Sequence, residues 1–123
     1  MKQREIKFRA WDKLSKVMRY GAENNLVIVL DNPDFEVNQF TGLKDKNGKE
    51  IYEGDIIKGV DGNGKIRTDI DFYKPTEVVF EQGVFRNKYW GWQLSDIEIE
   101  VIGNIYESKH LLDNIDTKEN PEL

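Results

Sequence analysis

The chain has 123 residues, 38% of them hydrophobic, 33% charged and 11% aromatic, with no cysteine and a formal net charge of −5. That length suits one domain with one core, and the missing thiols exclude disulfides, thiolate catalysis and thiolate-bound zinc. So lean an apolar content places much of the core on aromatic rings, each of which buries about 150–250 Å².

Charge is unevenly placed. Within the first twenty residues Lys2, Arg4, Lys7, Arg9, Lys13, Lys16 and Arg19 stand against Glu5 and Asp12, a surplus of +5, so the remainder sums to −10. Either basic strands pair with acidic ones in the same fold or in a neighbouring subunit, or a nucleic-acid face is present. Paired and solvated charge is the commoner outcome. The start, Met1-Lys2-Gln3-Arg4-Glu5, lacks an apolar leader, and the longest apolar run, residues 26–30, is too short to cross a bilayer. A cytoplasmic protein without membrane contact is expected.

In chain order, Ile6, Phe8 and Ala10 alternate with Lys7, Arg9 and Trp11, the period of a half-buried strand. A turn over residues 12–16 and the return of Val17-Met18-Arg19-Tyr20 complete a hairpin over 4–20. Residues 21–25 read as polar loop, and the apolar, β-branched run 26–30 as a fully buried strand stopped by Asp31-Asn32-Pro33-Asp34. Extended structure resumes over 35–40, breaks at Thr41-Gly42, and turns tightly at Asp45-Lys46-Asn47-Gly48 before Ile51-Tyr52. Gly54 introduces a strand at 55–58, and Asp61-Gly62-Asn63-Gly64 leads to another over 66–73. Residues 77–80 and 84–86 form a third hairpin around Gln82-Gly83. Ile97, Ile99 and Val101 alternate with polar neighbours, residues 108–112 suit a short helix, and residues 114–123 form a polar tail.

Short strands punctuated by glycine turns predict a mainly β fold. The expected architecture is a single domain over 1–113, an SH3-like barrel over 41–107 with an additional N-terminal β-layer over 1–40.

No catalytic constellation stands out. Asp69 with Asp71, and Glu98 with Glu100, each share a strand face, where paired carboxylates serve acid–base catalysis or hold a cation but are more often solvated. Asp61-Gly62-Asn63-Gly64-Lys65 fails the calcium-loop pattern, with Lys65 and Ile66 where a ligand and a glycine belong. His110 is the single histidine. Neither a phosphate loop nor a hydrolase elbow occurs. The expectation is a non-enzymatic protein with no cofactor and no metal. Candidate binding residues are the basic and aromatic side chains Arg4, Lys7, Arg9, Trp11, Phe85, Arg86, Tyr89, Trp90 and Trp92, a mixture that suits base stacking and equally suits core or subunit interface.

Three segments resemble the YopX family of phage and prophage proteins. They are Arg4-Glu5-Ile6-Lys7-Phe8-Arg9-Ala10-Trp11-Asp12, the stretch Thr41-Gly42-Leu43-Lys44-Asp45-Lys46-Asn47-Gly48-Lys49-Glu50-Ile51-Tyr52-Glu53-Gly54-Asp55-Ile56, and Glu100-Val101-Ile102-Gly103-Asn104-Ile105-Tyr106-Glu107. The chain departs from the family pattern over 13–40 and 58–77, and at Ser108-Lys109-His110-Leu111-Leu112. The resemblance implies a bacterial cytoplasmic setting and a homo-oligomer, a trimer among the possible forms. It brings no activity, cofactor or catalytic residue. The expected function is an oligomeric accessory binding module whose partner is a host or phage protein; the alternative is nucleic-acid binding by the basic hairpin and the aromatic patch. The turn chemistry of the second segment reads as architecture, with Asp55 bonding backbone amides at a corner.

Overall fold

A computed structural model describes residues 5–60, 74–87 and 98–112. The N-terminal hairpin forms as expected: β1 (Phe8–Asp12) and β2 (Val17–Tyr20) run antiparallel with Ala10 opposite Arg19. Asp12 holds its turn, accepting the N–H groups of Leu14 and Ser15 on one carboxylate oxygen at 3.0 and 3.2 Å. The expected alternation along β1 does not hold. Arg9, Ala10, Trp11 and Asp12 are all buried while Ile6 is exposed, because β1 lies between β2 and β3 and the Arg9 side meets the second sheet.

Residues 26–30 are helical, not a buried strand. A 3-10 turn over Ala22–Asn25 leads into α1 (Leu26–Asp31), and none of the α1 residues is fully buried. A five-residue apolar run cannot by its own period distinguish strand from helix. Gly21, at φ +77°, turns the chain off β2, and Glu23 accepts the Phe8 N–H at 2.8 Å, anchoring the 3-10 turn to the start of β1.

The strand β3 (Phe35–Lys44) is longer than expected. Thr41-Gly42 bends it without ending it: Gly42 sits at φ +88° and the pairing with β4 (Glu50–Tyr52) shifts register between Phe40 and Lys44. The first sheet has the order β2-β1-β3-β4, so β3 continues past residue 40 into what was read as the barrel portion. The second sheet, β7-β6-β5-β8, comprises β5 (Asp55–Gly59), β6 (Thr76–Glu81), β7 (Val84–Asn87) and β8 (Ile99–Asn104). The fold is mainly β, with two antiparallel sheets of which one curls into a half-barrel. Gln82 and Gly83, at φ +54° and +82°, make the two-residue β6–β7 turn that suits strand twist. The expected strand at 66–73 lies outside the described residues, and residues 108–112 make a helical turn, Leu111 and Leu112 bonding back to Ser108 and Lys109.

Ile51, Ile57, Val78, Ile99 and Val101 form the core cluster, with half-buried Leu43 and Phe85 packed on it. The β3–β4 turn is tied to the second sheet by Lys46 N–H donating to the Ile99 carbonyl at 3.0 Å, and the link between the sheets by bonds from Gly54 N–H to the Val78 carbonyl and from Ile105 N–H to the Gly54 carbonyl, both 2.9 Å.

Candidate functional site

The three segments singled out in the sequence meet in one buried polar cluster. Arg9 of β1 and Asp55 of β5 form an ion pair at 2.9 Å with both side chains 3% exposed. The other two Arg9 nitrogens are engaged as well: Nε donates to Asn38 Oδ1 at 3.1 Å, the second terminal nitrogen donates to the Glu53 carbonyl at 3.3 Å, and the guanidinium lies 4.8 Å from the Tyr52 ring centre. Asn38 in turn donates to the Tyr106 hydroxyl at 2.8 Å, and the Tyr106 ring stacks on Trp11 with centroids 5.3 Å apart. Asp55 takes the Tyr52 N–H at 2.8 Å, the corner bond its sequence context suggested. Burial pushes the Asp55 carboxyl above its ordinary range, opposed by Arg9 and by the Tyr52 N–H. Burial also raises the hydroxyls of Tyr52, to about 12, and Tyr106. Every polar atom here has a protein partner, so the cluster acts as a joint between sheets.

The rest of the second segment is also engaged structurally. Asp45 accepts Asn47 and Lys49 N–H groups on one oxygen, at 2.8 and 2.9 Å, and the Val101 N–H of β8 on the other at 2.9 Å. Burial would raise this carboxyl, but the three amides outweigh it and the net shift is downward. Thr41 donates to the Ile51 carbonyl and accepts the Leu43 N–H. Asn104 closes the third segment by accepting the N–H groups of Tyr106 and Glu107.

The described ones among the predicted binding residues, Lys7, Arg9, Trp11, Phe85 and Arg86, do not gather in one patch. Arg9 and Trp11 are buried, at 2% and 9% exposure, and so present no free surface. Lys7 bridges Glu5 and Glu50 and lies over the Phe40 ring; Glu50, then Glu5, hold its ammonium above the usual lysine range. Phe85 is half-buried, edge-on to Phe80 at 4.9 Å, and half-buried Arg86 donates to the Asn87 carbonyl at 3.4 Å. Arg4, Tyr89, Trp90 and Trp92 lie outside the described residues, as do Asp69 and Asp71. Glu98 is exposed and Glu100 half-buried beside β5. Among the described residues no three His, Asp or Glu side chains converge as a metal site would need.

Charge follows the pairing pattern. Besides Lys7 and Arg9, Lys13 meets Glu36 at 3.6 Å and Arg19 meets Asp12 at 3.2 Å, so four cations of the basic stretch have carboxylates of the same chain beside them. Among the described residues two further surface features stand out. One is the outer face of α1, where Val27, Ile28 and Leu30 are 81%, 67% and 64% exposed. The other is a cleft of about 360 Å³ between β3 and β6, with Glu53, Glu77 and Glu81 in its walls. Sequence reasoning missed both. The first was hidden by reading the run as strand, and the second joins residues distant in the chain with no local signal.

Comparison with known proteins agrees with this architecture. A crystal structure of protein EF1440 from Enterococcus faecalis is similar at a TM-score of 0.63 and 25% identity, covering 89% of this chain and 99% of that one. No protein of curated function matches. No helix among the described residues is long and apolar enough to cross a membrane. The sequence model described as YopX protein matches residues 23–113. Its span leaves out the first recognised segment, which the Arg9–Asp55 pair nevertheless joins to the second. With most of its length matched, the chain belongs to the YopX family.

Proposed function

We propose that this chain is a non-enzymatic phage or prophage accessory protein, working in the bacterial cytoplasm as an oligomeric binding module. The observation that carries the reading is the outer face of α1. Leu26 and Val29, three apart, are half-buried, while Val27, Ile28 and Leu30 project outward in a chain only 38% hydrophobic. Grouped exposed aliphatics mark contact surfaces, and covering each contributes about 1.5–3 kcal/mol. A second copy of the chain is the proposed occupant, its α1 face supplying the same aliphatic surface across a two-fold or three-fold axis. The cations found paired within the chain weigh against a nucleic-acid face on the N-terminal hairpin.

The test is light scattering from about 5 to 200 µM at low and high salt, on wild type and on Val27→Glu/Ile28→Lys. Wild type is expected above one chain's mass, and the variant, with unchanged circular dichroism, at one chain's mass. A monomeric wild type across that range overturns the proposal.

A further inference from the structure

The chain leaves the first sheet after β4 and enters the second at Asp55, and both sheets overhang that crossing. On one wall, Lys13 N–H bonds the Asp34 carbonyl and Phe40 N–H bonds the Lys7 carbonyl, so the even-numbered positions of β3 face β1. The odd positions face away, as Gln39 shows by accepting the Glu53 N–H and by donating to the Glu53 carboxylate. By the alternation of an antiparallel ladder, Val37 then turns its N–H and C=O away from β1, beyond the end of β4, where no described residue meets them. On the other wall, the two-residue turn makes Glu81 and Val84 the bonded pair that flanks it, so Phe80, opposite Phe85, aims its N–H and C=O away from β7. Val78, two residues earlier, shows the same direction by accepting Gly54 N–H. The strand β5 begins only at Asp55, so nothing described pairs with Phe80 on that side.

These two backbone edges, open among the described residues, line the same cleft together with Gly54 and Ile105. Among the described residues its charged lining is acidic, with Glu53, Glu81 and Glu77, the last already engaged within the chain. We infer that the cleft between β3 and β6 is a strand-addition site for an extended peptide segment in which lysine or arginine alternates with aliphatic residues. Main-chain bonding to the Val37 and Phe80 edges holds such a segment. Successive side chains of an extended strand point to opposite faces, so one set meets the face of β6 that carries Glu81 beside Val79, and the other meets the opposite face, where Phe80 stands. The site is separate from α1 and does not depend on self-association.

The probe is a fluorescein-labelled (Lys-Val)4 peptide titrated by anisotropy against the full chain at low salt. Controls are (Glu-Val)4 and a (Lys-Val)4 peptide N-methylated at every second residue. Binding tighter than about 100 µM is expected, with each control at least tenfold weaker. Glu81→Lys should weaken (Lys-Val)4 about tenfold, and Phe80→Pro should do as much, because it deletes an N–H that β7 does not use. Should Phe80→Pro fail to fold, the N-methylated peptide tests the same bonds. Full binding in the Val27→Glu/Ile28→Lys variant separates this site from the assembly surface. No binding by 1 mM, or equal binding of the N-methylated and parent peptides, overturns the inference.

Discussion

Asp55→Ala tests the joint between the sheets most directly. It leaves the Arg9 guanidinium, 3% exposed, with no counter-charge, and the Tyr52 N–H with no acceptor. Removing one partner of a buried pair costs about 3–5 kcal/mol, a large share of the 5–15 kcal/mol typical of a domain. With an m-value of about 1.5 kcal/mol/M, the urea midpoint should fall by about 2–3 M. Arg9→Met should cost a similar amount by stranding Asp55. The double variant Arg9→Met/Asp55→Leu should recover most of the loss, since apolar replacement removes the desolvation cost along with the attraction. Equilibrium urea unfolding followed by tryptophan fluorescence and circular dichroism gives the three values and their coupling. Single losses below about 1 kcal/mol, or losses that simply add in the double variant, would refute the claim that this pair joins the sheets.

Other outcomes follow from the same geometry. Gly54→Ala should destabilise by about 1–3 kcal/mol in thermal or urea unfolding, because its backbone is at φ +87° and a Cβ would sit 3.4 Å from Asn38. Gly103→Ala should also destabilise, by about 1–3 kcal/mol, since the added Cβ would lie 2.5 Å from Ser108 and force that turn outward. Acid should weaken the fold through Asp12, whose carboxyl is held down to about 2 first by the Ser15 side chain, then by the Ser15 amide and Arg19. Its folded pKa lies below the unfolded value, so its stabilisation is complete above about pH 4 and disappears as pH falls towards 2. Asp45 and Glu50 shift in the same direction and add to the loss. Unfolding midpoints from pH 6 to 2 should drop more steeply for wild type than for Asp12→Asn.

Much of the fold is legible in the sequence because turns are written locally. Gly48 and Gln82-Gly83 place positive φ where a strand must reverse, and the hairpins of β3–β4 and β6–β7 follow. Asp45, Asp55 and Asn104 cap neighbouring amides within a few residues, so their roles also read from short spacing. The α1 segment was illegible because a run of five aliphatics carries no period. Its state is set by what packs around it and not by its own period.

What the sequence determined by itself was therefore the class of fold, the reversal points and the family, since each depends on residues within a few positions of one another. Only the tertiary structure decided which face of β1 is interior, that Arg9 meets a carboxylate 46 positions away in sequence number, and that β3 and β6 line one cleft. The physical reason is that burial of a charge and exposure of a backbone edge are properties of what packs opposite, and that partner comes from a distant stretch of chain.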